Sequence, residues 1–314
     1  MPSEEQELKA ILSDHLLKDL LDERRTERRW KWTRRIVFSL LGVGLFAVYV
    51  AISANKMGYK LMPAREYVAV IDVTGAIGLD QLASAEELVP VIEKAFTADK
   101  VKAIALNIDS PGGQPFESER IGQSIDRLKA ETHKPVYAFL GNTGASAAYL
   151  LALHADKIIA GKYSLVGSIG AVITGWDFHK LADKFEVGQR VYASGAHKNM
   201  LNPWVGMSHA SDVKAQEMVD KMAAIFADEF KAKRKGKIQQ NFDYFTGEVW
   251  GGEDALRLGL VDEIGSLESV VKRQWNIPTH GFGPFNTAKG LLGPLGSSFV
   301  EKLLASVAAQ AGPR

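Results

Sequence analysis

The chain of 314 residues contains no cysteine, which excludes disulfide bonds and a cysteine nucleophile. None of its histidines lies in an obvious catalytic motif. Its carboxylates form neither an acid/base pair nor a cluster with metal-ligand spacing, and no phosphate-binding loop is present. The sequence therefore calls for no metal and no cofactor. If the protein is an enzyme, its nucleophile is sought among hydroxyl groups.

Charge is also missing from one long stretch, residues 36–54. A run of this length and apolarity is typical of a helix that crosses a membrane, which takes about 20 residues. Trp30 and Trp32 precede it, where an interfacial aromatic belt is expected. A buried core helix and a cleaved signal peptide are the alternatives. The leader before the run is long for a signal peptide, so we favour an uncleaved anchor.

The residues before this run are unevenly charged. Residues 24–35 contain seven arginine or lysine residues and one glutamate, whereas residues 1–23 are acidic on balance. A basic block can bind nucleic acid, but directly before an apolar helix it fits the positive-inside rule better. We therefore expect a single-pass protein of the bacterial inner membrane, with a cytoplasmic N-terminus and an extracytoplasmic domain. The cytoplasmic leader comprises residues 1–35. Apolar residues at helical spacing between Leu8 and Leu20 predict an amphipathic helix in it. This helix can bind a partner, lie on the membrane or pack against its own neighbours.

Beyond a short linker, apolar runs and helical patterns alternate, which favours an α/β domain with a largely parallel sheet over residues 66–275. The predicted strands cover residues 67–73, 101–108, 135–140, 157–160 and 187–193. The predicted helices cover residues 84–96, 117–128, 146–154 and 212–231. Glycine and proline become frequent from Asn276 onward. Residues 276–314 are therefore interpreted as a C-terminal tail, with a final helix over residues 297–309.

Ser146 and Lys198 are the pair of residues best suited to nucleophilic catalysis. Ser146 stands among small residues in GASAAY, after a predicted strand, and Lys198 ends the loop SGAHK. A serine hydroxyl needs a base before it is a good nucleophile, and a lysine amine serves as that base only when burial keeps it neutral. Taken singly, Ser146 also fits a helix-capping serine, and Lys198 also fits a surface lysine.

Three further features belong to this hypothesis. The turn DSPGG follows a predicted strand, and the backbone N–H groups of Gly112 and Gly113 are candidates for an oxyanion hole; an ordinary turn is the alternative. Ser168, in GSIG, is a candidate to orient the lysine amine, or else a turn serine. His154 and His197 are rival bases, although His154 fits a structural role better.

In this order, the motifs DSPGG, GASAAY, GSIG, SGAHK and FTGEVWGGEDALRLGLVDEIGS resemble the signal peptide peptidase A family of membrane-bound Ser/Lys peptidases. The resemblance covers residues 66–273. It implies a fold of the Clp protease and crotonase type, with Ser146 as nucleophile, Lys198 as general base, Ser168 as the serine bonded to that lysine, and an oxyanion hole at Gly112 and Gly113. One peptidase domain is present, as in the short form of the family.

The resemblance also implies a function and an assembly. Family members form dome-shaped homo-oligomers in which neighbouring subunits complete each active site, and they degrade signal peptides left in the membrane. The chain departs from the family at Ala147 and Ala148, where glycines are common, and in its leader and tail. We expect a membrane-anchored serine endopeptidase. A crotonase-like acyl-CoA enzyme and a non-catalytic membrane scaffold are the alternatives.

Overall fold

The structure is a computed structural model that describes residue 24 and residues 28–52 and 63–284. These residues fall in two units, and each is described by itself. Several predicted features lie outside the described residues: the leader helix at Leu8–Leu20, the last two residues of the anchor, and the tail from residue 285 with its helix.

The first unit contains helix α1, Arg28–Ile52, which begins among the basic residues and continues into the uncharged run. It has 25 residues and a mean hydropathy of 2.2 over its most apolar window, none of which is buried. At 1.5 Å per residue it is about 37 Å long, enough for a hydrocarbon core of about 30 Å. The buried-core-helix alternative therefore finds no support in this unit.

The second unit is an α/β domain. Its strands are β1 Tyr67–Thr74, β2 Val101–Ser110, β3 Val136–Ala145, β4 Lys157–Ala160, β5 Leu165–Gly167, β6 Val249–Gly251, β7 Glu263–Ile264 and β8 Thr279–Gly283. Its helices are α2 Ala85–Thr97, α3 Pro115–Thr132, α4 Ala147–Ala152, α5 His179–Lys184, α6 His209–Lys233, α7 Gly252–Arg257 and α8 Leu267–Gln274.

The strands form one sheet in the order β6-β5-β3-β2-β1-β8, with β4 beside β3 and β7 beside β4. Every pairing is parallel except that of β5 with β6. The long strand β3 has two neighbours on one side, since residues 137–140 pair with β4 and residues 143–145 pair with β5. The predicted α/β class is confirmed.

Both faces of the sheet are covered, which explains why strand β2 is largely apolar up to Ile108. Ile104 and Leu106 of β2 enter the larger core cluster, with residues of α2 and α3. Ala103 points to the opposite face, where Val270 and Val271 of α8 cover the sheet. Side chains alternate in this way because successive residues of a strand face opposite sides.

The predicted strand at residues 187–193 is wrong. The structure has no strand there, and the side chains of Val187 and Tyr192 are 60% and 92% exposed. Valine and tyrosine favour strands because they pack on a half-buried sheet surface. Among the described residues no neighbouring strand covers this segment. The side chains therefore lack the sheet surface against which they would pack in a strand.

The sheet also continues past Trp275, where the predicted domain boundary lies. Strand β8 pairs in parallel with β1, and Tyr67 packs its ring against His280 and Phe282 at centroid distances of 5.4 and 6.2 Å. Residues 279–283 therefore belong to the sheet. Two glycines in this strand lower its apparent strand preference, which is why composition points to a tail instead.

A buried histidine joins three helices on the larger core face. Nδ1 of His154 lies 2.9 Å from Oδ2 of Asp126 on α3, and Nε2 lies 3.1 Å from Oε1 of Glu229 on α6. Lys233 Nζ is also 2.9 Å from the Asp126 carboxylate. Because both ring nitrogens face carboxylates, only the imidazolium can donate to both. His154, in the turn after α4, thus links the end of α4 to α3 and α6.

The charged form of His154 is favoured on balance. Burial lowers the pKa of His154, but the hydrogen bonds to Asp126 and Glu229 outweigh it and raise that pKa above its ordinary value. Burial also opposes ionisation of Asp126, yet its bonds to His154 and Lys233 lower its pKa to about 2. The His154–Asp126–Glu229 cluster is therefore a clamp whose carboxylates favour the imidazolium form.

We expect the free energy of unfolding to fall as the pH rises above neutrality. A folded-state pKa raised above the unfolded value of about 6.5 gives stabilisation that is complete below that pH and is lost as the pH rises through the folded pKa. Chemical denaturation of the full chain in detergent between pH 6 and 9 measures this. His154→Gln should remove the slope, and His209→Gln, at an exposed position, should retain it. Equal slopes in all three proteins would contradict the clamp.

Candidate active site

The first part of the site is the tight turn that follows β2. Gly112 and Gly113 have φ values of +100° and +149°, which glycine adopts at little cost. A Cβ added to Gly112 would lie 2.7 Å from the Cβ of Ser146 and 2.7 Å from the carbonyl oxygen of Ala145. The turn therefore brings its backbone directly against Ser146.

Hydrogen bonds within this turn occupy all but one of its N–H groups. The N–H of Gly112 donates to Ser110 Oγ at 3.1 Å. The carbonyl of Gly112 accepts from Ile77, and the N–H of Gln114 donates back to the Ile77 carbonyl, at 2.9 and 2.8 Å. Within residues 63–284, the N–H of Gly113 has no partner. Of the two glycines singled out by sequence, Gly113 thus offers a free donor, whereas Gly112 allows the close approach.

Ser146 sits at the junction of β3 and α4 in a conformation that a non-glycine residue rarely adopts. Its φ is 53° and its ψ is −129°, and its N–H donates to the carbonyl of Gly167 at 2.8 Å. The side chain makes no capping hydrogen bond, so the helix-cap alternative is wrong. Such strain costs of order 1–3 kcal/mol and is typical of functional positions. Ser146 is half-buried at the end of the strand, and this strained strand-to-helix turn resembles a nucleophile elbow.

Ser168 lies beside Ser146 at the end of the neighbouring strand. Ala145 of β3 pairs with Gly167 of β5, so the two serines follow directly on paired positions. Ser168 also has a positive φ, 51°, and its N–H donates to the Glu248 carbonyl at 2.7 Å. Parallel neighbours lie about 4.8 Å apart, so the sheet register brings these two predicted residues together.

Lys198 is not joined to this group in a single chain. It lies in an exposed segment whose nearest regular helix is α6, and its N–H donates to the Gly195 carbonyl at 3.1 Å. Over the described part of the chain, its side chain makes no hydrogen bond or ion pair. The contact between Ser146 and Lys198 thus remains a prediction.

Lys198 lies in the segment between β5 and α6, which we call the Lys198 segment and which exposes large apolar side chains. Val172, Trp176, Phe185 and Tyr192 are 79%, 78%, 72% and 92% exposed. The next helix, α6, also exposes Ile225, at 69%. Large apolar side chains exposed in this number are typical of a surface that is covered in an assembly.

The two rival histidine bases are engaged elsewhere. His154 is held between Asp126 and Glu229. Nδ1 of His197 lies 3.3 Å from Ser211 Oγ at the start of α6. Neither contacts Ser146. Within the described ranges, no group of three or more metal-ligating side chains is present either.

Comparison with known proteins gives a consistent family. The profile of Peptidase family S49 matches residues 129–276. A Synechocystis sp. protein named as a protease, slr0021, is 30% identical over 220 residues, which is 70% of this chain and 76% of that protein. A stomatin-specific membrane-bound protease, 1510-N, solved as a serine-to-alanine variant, is 15% identical, and the match covers 71% of this chain and all of that one with a TM-score of 0.45.

A relative from Brucella melitensis is named as the Na(+)/H(+) antiporter NhaA. It is 36% identical over 204 residues, which is 65% of this chain but 28% of that protein. This chain thus spans between about a quarter and three quarters of the length of the relatives it matches. The antiporter name belongs to a protein of which most lies outside the match.

We expect Gly112→Ala to lower the free energy of unfolding by about 2–4 kcal/mol, because it forces both a positive φ and a steric clash on the turn. Gly251→Ala is the matched control, since a Cβ there meets open space at an ordinary φ of −63°. Chemical denaturation of both variants measures the difference. Equal stability of the two variants would show that Gly112 does not lie against Ser146.

Proposed function

This protein belongs to peptidase family S49, and from that premise we propose that it is a membrane-anchored serine endopeptidase with Ser146 as its nucleophile. The observation that carries the proposal is the strained backbone of Ser146, a half-buried residue that makes no capping hydrogen bond and whose Cβ lies against the Gly112 turn. A structural serine gains nothing from that strain. The family fold of the Clp protease and crotonase type accommodates this arrangement.

Lys198 is the general base of the proposed reaction. Its neutral amine takes the proton of the Ser146 hydroxyl as Oγ attacks the peptide carbonyl. The tetrahedral intermediate collapses, the C–N bond breaks, and the departing amine takes that proton from the lysine. The Lys198 amine then deprotonates a water molecule, which attacks the acyl-enzyme. As the ester bond breaks, Lys198 passes this proton to Ser146 and restores its hydroxyl.

We assign stabilisation of the oxyanion to two backbone N–H groups. One is the unpartnered N–H of Gly113. The other is the N–H of Ala147, whose nitrogen lies 2.9 Å from the position of an added Cβ on Gly112. Preorganised donors of this kind are usually the largest single contribution to catalysis of acyl transfer. Sequence reasoning missed Ala147, because any residue after the nucleophile carries the same N–H group.

Ser168 orients the lysine in this proposal. The two serines follow directly on paired strand positions, which supports a contact between the Ser168 hydroxyl and an amine that reaches the nucleophile. A hydroxyl accepts a hydrogen bond from the amine and fixes its direction without adding charge.

A neighbouring copy of the chain completes the site. The Lys198 segment is exposed and rich in apolar side chains, and its amine lies free of Ser146. Covering the segment in a homo-oligomer would bury those side chains and desolvate the amine, which favours its neutral form. This agrees with the shared active sites that the family resemblance implies.

The anchor sets the location and the substrates. Helix α1 begins at its basic end, and by the positive-inside rule we assign the N-terminus to the cytoplasm and the peptidase domain to the outer side of the inner membrane. There the substrates are peptides released into or beside the membrane, signal peptides first among them. The leader is available to a cytoplasmic partner. The membrane helix argues against the acyl-CoA alternative, and the strained Ser146 argues against a non-catalytic scaffold.

We expect Ser146→Ala and Lys198→Ala each to reduce kcat for peptide hydrolysis about 10⁴-fold or more, because nucleophile and base act as a unit. Purified full-length protein in detergent and a fluorogenic peptide provide the assay. Lys180→Ala, at another exposed lysine, is the control and should retain activity. Unchanged hydrolysis by either of the first two variants would refute the dyad.

Mixing the two inactive variants tests the shared site. If Ser146 of one subunit works with Lys198 of the next, random co-assembly should restore about a quarter of the sites. Co-expression, or unfolding and reassembly together, followed by the same assay measures this. Complete inactivity of mixed oligomers would mean that both residues act within one chain.

A further inference from the structure

The two proposed oxyanion donors belong to different elements. Gly113 lies two residues before the start of α3, and Ala147 is the first residue of α4. No short covalent path fixes the distance between them. A misplacement of about 1 Å is enough to weaken a donor's effect on the transition state strongly. Some contact between the starts of these two helices must therefore hold the spacing.

Ser118 provides that contact. It lies in the first turn of α3, and its Oγ donates to the carbonyl of Ala147 at 2.7 Å. Its side chain is fully buried, with an exposure of 0%. A hydrogen bond shielded from water in this way is strong, and it ties the start of α3 to the residue that follows the nucleophile.

Ser110 fixes the residue on the other side of Gly113 along the chain, Gly112. Its hydroxyl, also 0% exposed, accepts from the N–H of Gly112 at 3.1 Å. The Ile77 backbone holds the remaining groups of the turn. Gly113 is thus left as the free N–H between two anchored neighbours. Without the Ser110 hydroxyl, the Gly112 N–H would lose its partner and the turn could rotate.

We propose that Ser118 and Ser110 are positioning residues that set the geometry of the oxyanion hole: Ser118 fixes Gly113 relative to Ala147, and Ser110 fixes the turn that presents Gly113. The proposal rests on the proposed peptidase function. Neither hydroxyl faces the substrate, since both are bonded inside the protein. Their effect should appear in the transition state, where the oxyanion exists, and not in substrate binding.

The test compares Ser118→Ala and Ser110→Ala with Ser124→Ala in the full-length protein. Ser124 is a matched control, because it is a buried serine on the same helix α3 whose hydroxyl has no partner among the described residues. We expect Ser118→Ala and Ser110→Ala to lower kcat about 10- to 100-fold with KM within about twofold, less than the loss of a donor itself. Ser124→Ala should leave kcat unchanged.

A peptide aldehyde gives a second readout that a merely structural role would not move. It adds to Ser146 to form a hemiacetal whose oxygen occupies the oxyanion hole. Its inhibition constant should rise in Ser118→Ala and Ser110→Ala by about the same factor as kcat falls. The matching peptide alcohol, which forms no such adduct, should bind all variants alike.

The outcomes separate the two proposals. Wild-type kcat and aldehyde affinity in folded Ser118→Ala and Ser110→Ala would overturn the positioning role and leave the peptidase function intact. A wild-type protein that hydrolyses no peptide would overturn the peptidase function, and the positioning role falls with it. Thermal unfolding identifies a variant that does not fold. If Ser118→Ala is such a variant, Ser110→Ala decides.

Discussion

The close approach of the Gly112 backbone to Ser146 is the constraint on which the rest of the site depends. A side chain at Gly112 would overlap Ser146 and the carbonyl before it. This contact joins the ends of β2 and β3, which are neighbouring parallel strands. It places the turn that contains Gly113 against the strained serine. The strain at Ser146 costs of order 1–3 kcal/mol, and the folded core around β2 and β3 must supply it.

Much of the fold follows from local pattern. The apolar run of β2 predicts a strand covered on both faces, and the structure has it. The pattern fails where tertiary contacts decide. Residues 187–193 have the composition of a strand, but none of the strands in the described part of the chain lies beside them. The glycine-rich β8, in contrast, is a strand because it pairs with β1 and packs against the ring of Tyr67. Neither outcome is encoded in the local residues.

The candidate site likewise contains some residues that the sequence predicts and others that only the structure reveals. Ser146, Ser168 and the glycine turn stand out in the sequence because small residues and turns accompany them, and the sheet register brings them together. Ser110 and Ser118 do not stand out, since their value lies in single hydrogen bonds to backbone groups. Lys198 stands out by motif, but within one chain its exposed side chain does not contact Ser146, and in the proposed oligomer its partner belongs to another subunit. A site shared in that way would couple the proposed proteolysis to assembly.

The central claim is that Ser146 is an activated nucleophile. Labelling the full-length assembled protein with a fluorophosphonate and mapping the modified peptide by mass spectrometry tests it most directly, because the reagent reacts covalently with activated serines. We expect the label on Ser146 and none on Ser168 or on the Lys198→Ala variant. A label on another residue, or an unlabelled Ser146 in the intact oligomer, would contradict it.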